Sequence, residues 1–270
     1  MLICYAVSKN KLLISSNPGE AHFNQIIKSE VRMNPEEKVS PHKKEQDMNS
    51  DMRQYIQPSP AVDCNSDAVA EFTKEHSGDS TDHRDQAVSL YHAIRDGIRY
   101  DPYNINLSIE GLRASTTLHI GRGWCVTKAI LLAACCRAIG IPARLGFADV
   151  RNHLSTARMR EHMKTDVFFW HGYTSIYLGG AWVKATPAFN IELCRRFRFK
   201  PLDFDGRSDS IFHPFDLEGK KHMEYLKYRG EFADVPLDQI AETFRREYLN
   251  DIFLNKADFD REVAQETRDD

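Results

Sequence analysis

The sequence predicts a mixed fold in which one buried helix is followed by antiparallel strands, and three stretches carry that expectation. Residues 125–139 are almost wholly apolar, with Lys128 and Arg137 the charged exceptions. A helix without a polar face is buried on most sides. Gly140 and Pro142 follow directly; glycine accepts the left-handed conformation that ends a helix, and proline cannot extend one. Finally, Gly179-Gly180 separates two runs of strand-forming residues, 173–178 and 181–185, a two-residue hairpin signal.

The remaining elements follow in chain order. Residues 1–15 begin apolar, but Ser8-Lys9-Asn10-Lys11 interrupts them, which is too short and wrongly flanked for a membrane span or secretory leader. Residues 16–62 are polar and rich in charge, Ser, Pro and Asn. Such a segment cannot bury a core of its own, so 1–62 is expected to be a flexible arm before a domain over 63–256. Within 63–76, Ala68, Val69 and Phe72 recur at helical spacing, and Val88, Tyr91 and Ile94 do so within 85–96. Gly97 stops the second helix, and Ile98-Arg99-Tyr100 reads as a short strand or turn. After the central helix come a strand over 143–150 and a polar loop or short helix over 151–165. Strands over 167–170, 173–178 and 181–185 follow, then a loop-rich part over 201–219. Pro236 opens a last helix, 237–249, with Ile240, Phe244 and Tyr248 on one face. Residues 257–270 form an acidic end that should fray.

Composition excludes several function classes. Of 270 residues 41% are hydrophobic and the formal net charge is −3, so neither nucleic acid nor a membrane surface is favoured as the main partner. The basic clusters Arg195-Arg196-Phe197-Arg198 and Arg245-Arg246 sit among acidic residues and read as solvated faces. Six cysteines show neither a disulfide framework nor zinc spacing. His213 and His222, with Asp209 and Asp216 nearby, match no metal-ligand pattern. No metal and no cofactor are expected, and a reducing, cytoplasmic location is.

Cys125 stands at the first turn of the central helix, where unpaired N–H groups and the helix dipole favour thiolate. His171 heads a strand, and a helix cysteine with a strand histidine makes a nucleophile–base pair. If Gly179-Gly180 is the two-residue turn, Tyr177 faces Trp182, Tyr173 faces Thr186 and His171 faces Ala188. His171 and Thr186 then lie diagonally on one face. Thr186, Asn190 or a carboxylate folding back, Asp203 or Asp205, could orient the imidazole.

Three blocks also resemble a known family: Gly123-Trp124-Cys125 with Lys128-Ala129, the run from Arg137 through Gly140-Ile141-Pro142-Ala143-Arg144, and His171 followed by Trp182-Val183-Lys184-Ala185-Thr186-Pro187. Over roughly residues 65–200 the chain resembles bacterial transglutaminase-like proteins, in the papain-like group of cysteine enzymes, and the part to about 250 resembles an extension found with some of them. The resemblance implies an α+β fold whose central helix bears the cysteine and packs on an antiparallel sheet. It implies a Cys–His–Asp triad, with Cys125 and His171 as the first two members and Thr186 where the family has Asp.

The corresponding activity is that of a thiol-dependent amide hydrolase or acyl transferase working through a Cys125 acyl-enzyme on a peptide or protein amide, with an amine acceptor in the acyl-transfer case. The backbone N–H of Cys125 supplies half of an oxyanion hole, and His119 or Tyr100 is the candidate for the other half. Trp124 and Trp170 are candidate cleft residues. Arg144 reads as a structural ion-pair or carbonyl-binding residue. The alternative is a non-catalytic papain-like binding module whose triad has decayed, a reading that Thr186 keeps open. The sequence does not give the oligomeric state.

Overall fold

The structure, a computed structural model, describes residues 52–152, 156, 159, 161, 163, 165–211, 223–248 and 258–267. Most of the expected arm, together with His213, Asp216 and His222, lies outside these residues. Helix α1 (Asp67–His76) begins where the Ser66 hydroxyl accepts from the Val69 N–H, and α2 (His83–Gly97) where the Asp82 carboxylate accepts from the Arg84 N–H at 2.7 Å. Those caps place the first helix start at residue 67 rather than 63. Strand β1 (Arg99–Tyr100) pairs in parallel with β2 (Arg122–Gly123). Between them lie α3 (Ile109–Leu112) and α4 (Ala114–Ile120), too short to show a periodicity in the sequence.

Helix α5 (Cys125–Ala138) is the apolar run, buried from Cys125 through Arg137. It ends at Gly140, whose φ of 78° is the left-handed cap. One flank meets α1, α2 and α4, and the other meets the sheet. That sheet contains β3 (Ala143–Asn152), β4 (Val167–Leu178), β5 (Ala181–Ala185) and β6 (Met223–Phe232) in the order β5-β4-β3-β6, with every pairing antiparallel. Thr174 Oγ1 donates to the Ala129 carbonyl at 2.8 Å and fixes the sheet against the helix.

The hairpin forms in the expected register, Tyr177 opposite Trp182 and Leu178 opposite Ala181. Two expectations about it are corrected. The strand is continuous through His171-Gly172 rather than divided there. Pairing also stops at Thr174 and Ala185, so neither Tyr173–Thr186 nor His171–Ala188 is a pair. The Thr186 N–H turns away to the Ser210 carbonyl at 2.9 Å, because a bridge between Ala185 and Ser210 takes over that edge of β5.

The ordered part also extends beyond the expected boundaries. Ala61 and Val62 are fully buried, and the Ala143 N–H donates to the Tyr55 carbonyl at 2.9 Å. Arg137 gathers three distant carbonyls, Gln57 at 2.8 Å, Ala143 at 2.9 Å and Ala233 at 2.5 Å. After β5 come α6 (Ile191–Arg196), β6 and α7 (Leu237–Glu247), whose Ile240 and Phe244 are buried. Helix α8 (Phe259–Glu266) corrects the frayed tail. It buries Phe259 and Val263, and Phe259 meets the rings of Tyr100 and Tyr103 edge-on. Apolar side chains one turn apart give even this acidic segment a face to bury.

Candidate active site

Helix α5 meets β4 at closest range beside the cysteine. A Cβ on Gly172 would lie 2.9 Å from the Val126 Cα, so only glycine lets the strand come this near. The approach brings the Gly172 N–H near enough to the Cys125 sulfur to favour its charged form, as the N–H groups of Val126 and of Cys125 itself also do. His171 is the residue before Gly172, so the two candidate catalytic residues stand on elements that touch where the helix starts and the strand passes.

The electrostatics differ from the sequence expectation. All three N–H groups lower the thiol pKa, as the helix-start argument requires. Burial outweighs them: Cys125 is 6% exposed, and its thiol is pushed up to about 11. The thiolate expectation is therefore corrected to a neutral thiol at neutral pH. His171, 5% exposed, is pushed down to about 4 by burial. The pair rests neutral on both sides. Among the described residues no carboxylate is hydrogen-bonded to His171.

Each orienter candidate has a defined place. Thr186 lines a small pocket with His171, Ala188, Phe189 and Ile211, but its hydroxyl is turned to the Ile211 carbonyl at 3.5 Å. Asn190 is corrected: its side-chain oxygen accepts from the Tyr100 N–H at 3.2 Å, and it steadies β1 rather than the imidazole. Asp203 pairs with Arg95 at 3.2 Å, and Asp205 accepts from the N–H groups of Arg207 and Ser208; neither folds back to His171.

Of the two oxyanion candidates, Tyr100 lies near the sulfur, close enough that charge on Cys125 raises its phenol pKa beyond the effect of burial. Tyr225 and Tyr248 stand in the same relation to Cys125. His119 is corrected: it is exposed on the last turn of α4, and no described contact joins it to Cys125. Trp124 lines a recess with Asp101, Asn104, Arg122 and Thr127, and its indole N–H is buried without an acceptor. Trp170 is no cleft wall. It is buried, donates through Nε1 to Thr243 Oγ1 at 2.9 Å, and packs against Phe147 and under Arg229. Arg144 pairs with Glu231 and lies 4.0 Å over the Trp182 ring, the structural role anticipated for it.

Lys128, one turn after Cys125, received no role from sequence reasoning beyond a place in the family motif. It is wholly buried and donates to the carbonyls of Arg95 at 2.9 Å, Ile98 at 2.6 Å and Ala188 at 2.7 Å. A charged residue inside an otherwise apolar run was the available signal. Among the described residues no group of His, Cys, Asp and Glu could hold a metal ion, and no helix is long and apolar enough to cross a membrane. Cys64, Cys125, Cys135, Cys136 and Cys194 are free thiols.

The model of the transglutaminase-like superfamily matches residues 70–187, from α1 to just past β5. No curated protein matches. Two solved structures are similar. One is named as a candidate cysteine protease from Cytophaga hutchinsonii, at 20% identity and a TM-score of 0.40, covering 51% of this chain and 42% of that one. The other is named as a candidate protease from Parabacteroides distasonis, at 14% identity and a TM-score of 0.32, covering 51% of this chain and 25% of that one. The chain thus spans less than half the length of either.

Proposed function

From a chain that is transglutaminase-like over residues 70–187, with the α+β core of that papain-like group, we propose a thiol-dependent amide hydrolase or acyl transferase. The observation that supports this reading best is the close passage of Gly172 against Val126 at the start of α5, which brings the Gly172 N–H near the Cys125 sulfur. It sets the helix cysteine against the strand that carries His171, with backbone donors already directed at the reacting atom. The substrate class is a peptide or protein amide, and the compartment is a reducing one such as the cytoplasm.

In the proposed mechanism the resting pair is neutral, so the thiol gives up its proton as it attacks. Cys125 Sγ bonds to the amide carbon while the S–H proton passes to His171. The carbonyl oxygen becomes an oxyanion held by helix-start N–H groups, with the Tyr100 phenol as a second donor. Collapse breaks the C–N bond, and the leaving amine takes the proton from His171. Water, or a second amine, then attacks the thioester as His171 accepts its proton. The carbonyl–sulfur bond breaks, and the thiol is restored.

The test is ammonia release from glutaminyl peptides with and without an added primary amine. Release by the wild type and its loss in Cys125→Ala support the reading, and incorporation of the amine distinguishes transfer from hydrolysis. Release that survives in Cys125→Ala rules it out. The second reading, a non-catalytic binding module, is favoured by one observation. Both members of the pair are buried in their uncharged forms, and among the described residues no carboxylate is hydrogen-bonded to the histidine. On that reading a peptide binds, but no acyl-enzyme mass is trapped on Cys125.

A further inference from the structure

Strand β4 gains one residue over β3 immediately before His171. Ala148 pairs with His171 but Val150 pairs with Phe168, so Phe169 and Trp170 together stand opposite Asp149. This is a β-bulge, a device that re-aims the side chains beside it. Trp170 has φ 59°, a left-handed conformation that strains a bulky residue, so surrounding contacts must enforce it.

Those contacts are present. The bulge removes two N–H groups from the ladder, and each finds a side-chain acceptor. Phe169 N–H donates to the Tyr248 hydroxyl at 2.8 Å, and Trp170 N–H donates to Asp149 Oδ1 at 3.2 Å. Arg229 grips the same carboxylate, Nε to Oδ1 at 2.9 Å and Nη2 to Oδ2 at 2.7 Å, and lies 5.1 Å over the Trp170 ring. The indole is anchored to Thr243 of α7.

The bulge has consequences for His171 because strand side chains alternate. One inserted residue exchanges the faces of everything on one side of it. Downstream positions are already fixed, with Gly172 against Val126 and Thr174 bonded to Ala129. His171 and Phe168 therefore keep their present faces together only while the bulge stands between them.

We propose that Asp149 is a positioning residue for the cysteine–histidine pair: by holding the Trp170 N–H it locks the bulge from which His171 leaves the strand. A carboxylate then serves the histidine through the backbone, in a site where threonine occupies the position of the family's aspartate. This inference rests on the reading of His171 as the base.

The test compares Trp170→Gly with Trp170→Ala, and Asp149→Asn with Asp149→Ala. Both Trp170 variants lose the same indole, but only glycine adopts φ near 60° without strain. Asparagine keeps an oxygen for the Trp170 N–H, whereas alanine does not. The readouts are kcat and KM for the amide substrate and the His171 imidazole titration followed by NMR, which needs no turnover. In each pair the second variant should fall below the first by about tenfold or more in kcat with little change in KM, and only the second should shift the His171 titration. Equal kcat and equal titration within both pairs would overturn the inference. If the wild type shows no thiol-dependent turnover, the proposed function fails and the titrations alone decide the role of Asp149.

Discussion

Lys128 donates to the Ala188 carbonyl from one turn beyond Cys125 on the same helix, across 2.7 Å. Its other two donations, to Arg95 and Ile98, join the end of α2 and the entry to β1 to the same ammonium. The charge rests near the C-terminus of α2, where the helix dipole is negative. Burial pulls its pKa down from 10.5 to about 7. The charged and titratable neighbours are Arg95 and Asp96 of α2 and Cys194 of α6.

The sign of the resulting pH dependence follows from that shift. Between pH of about 7 and 10.5 the unfolded lysine holds more proton than the folded one. The Lys128 contribution to stability therefore rises with pH through this window and is lost as pH falls back to about 7. Lys128→Met should abolish that slope and leave three buried carbonyls unpaired, lowering stability by about 3 kcal/mol or more. Denaturant melts of both proteins at several pH values check both effects.

The resting thiol should be slow. With Cys125 at about 11, its alkylation by iodoacetamide should keep accelerating as pH rises toward that value, with no plateau near pH 8. Mass spectrometry of the labelled sites gives the rate. A plateau below pH 8 would mean that His171 already ionises the thiol in the resting state.

Thr186→Asp should place a carboxylate in the pocket that His171 lines. An opposite charge at that range favours the imidazolium, so the His171 titration should move up from about 4. The buried carboxylate should cost about 1–3 kcal/mol of stability. NMR titration and melting together test the pair of effects, and a rise in amide turnover would accompany them on the enzyme reading.

Gly172→Ala should push β4 away from α5, because the new methyl meets the Val126 Cα at 2.9 Å. Overpacking of this kind costs about 1–3 kcal/mol. It should also withdraw the Gly172 N–H from the sulfur. The measurements are the melting midpoint and the Cys125 alkylation rate, which should fall at constant pH as a stabilising donor to thiolate is lost.

What could be read from the sequence was local. The helix from Cys125 ended at Gly140 because a left-handed cap and a proline lie next to each other, and the hairpin register needed only Gly179-Gly180. The features that escaped depend on distant partners. A positive φ at Trp170 has no local signature, since Asp149, Thr243 and Tyr248 impose it from elsewhere. Strand β6 mixes charge into its pattern and pairs with β3 across a long stretch of chain. The ionisation of Cys125 is not legible in the sequence because the helix-start donors are local and the burial that outweighs them is not.

The carbonyls that Arg137 gathers sit at residues 57, 143 and 233. A nascent chain still short of Ala233 can already wind α5, but it cannot complete this guanidinium cluster, and β6 is only just synthesised. The seal on the central helix therefore closes only after Ala233 has been made. Tyr225 and Tyr248, which stand near the Cys125 sulfur, are made in the same stretch, so the interval before they fold, rather than the finished fold, is the time when Cys125 is most open to oxidation.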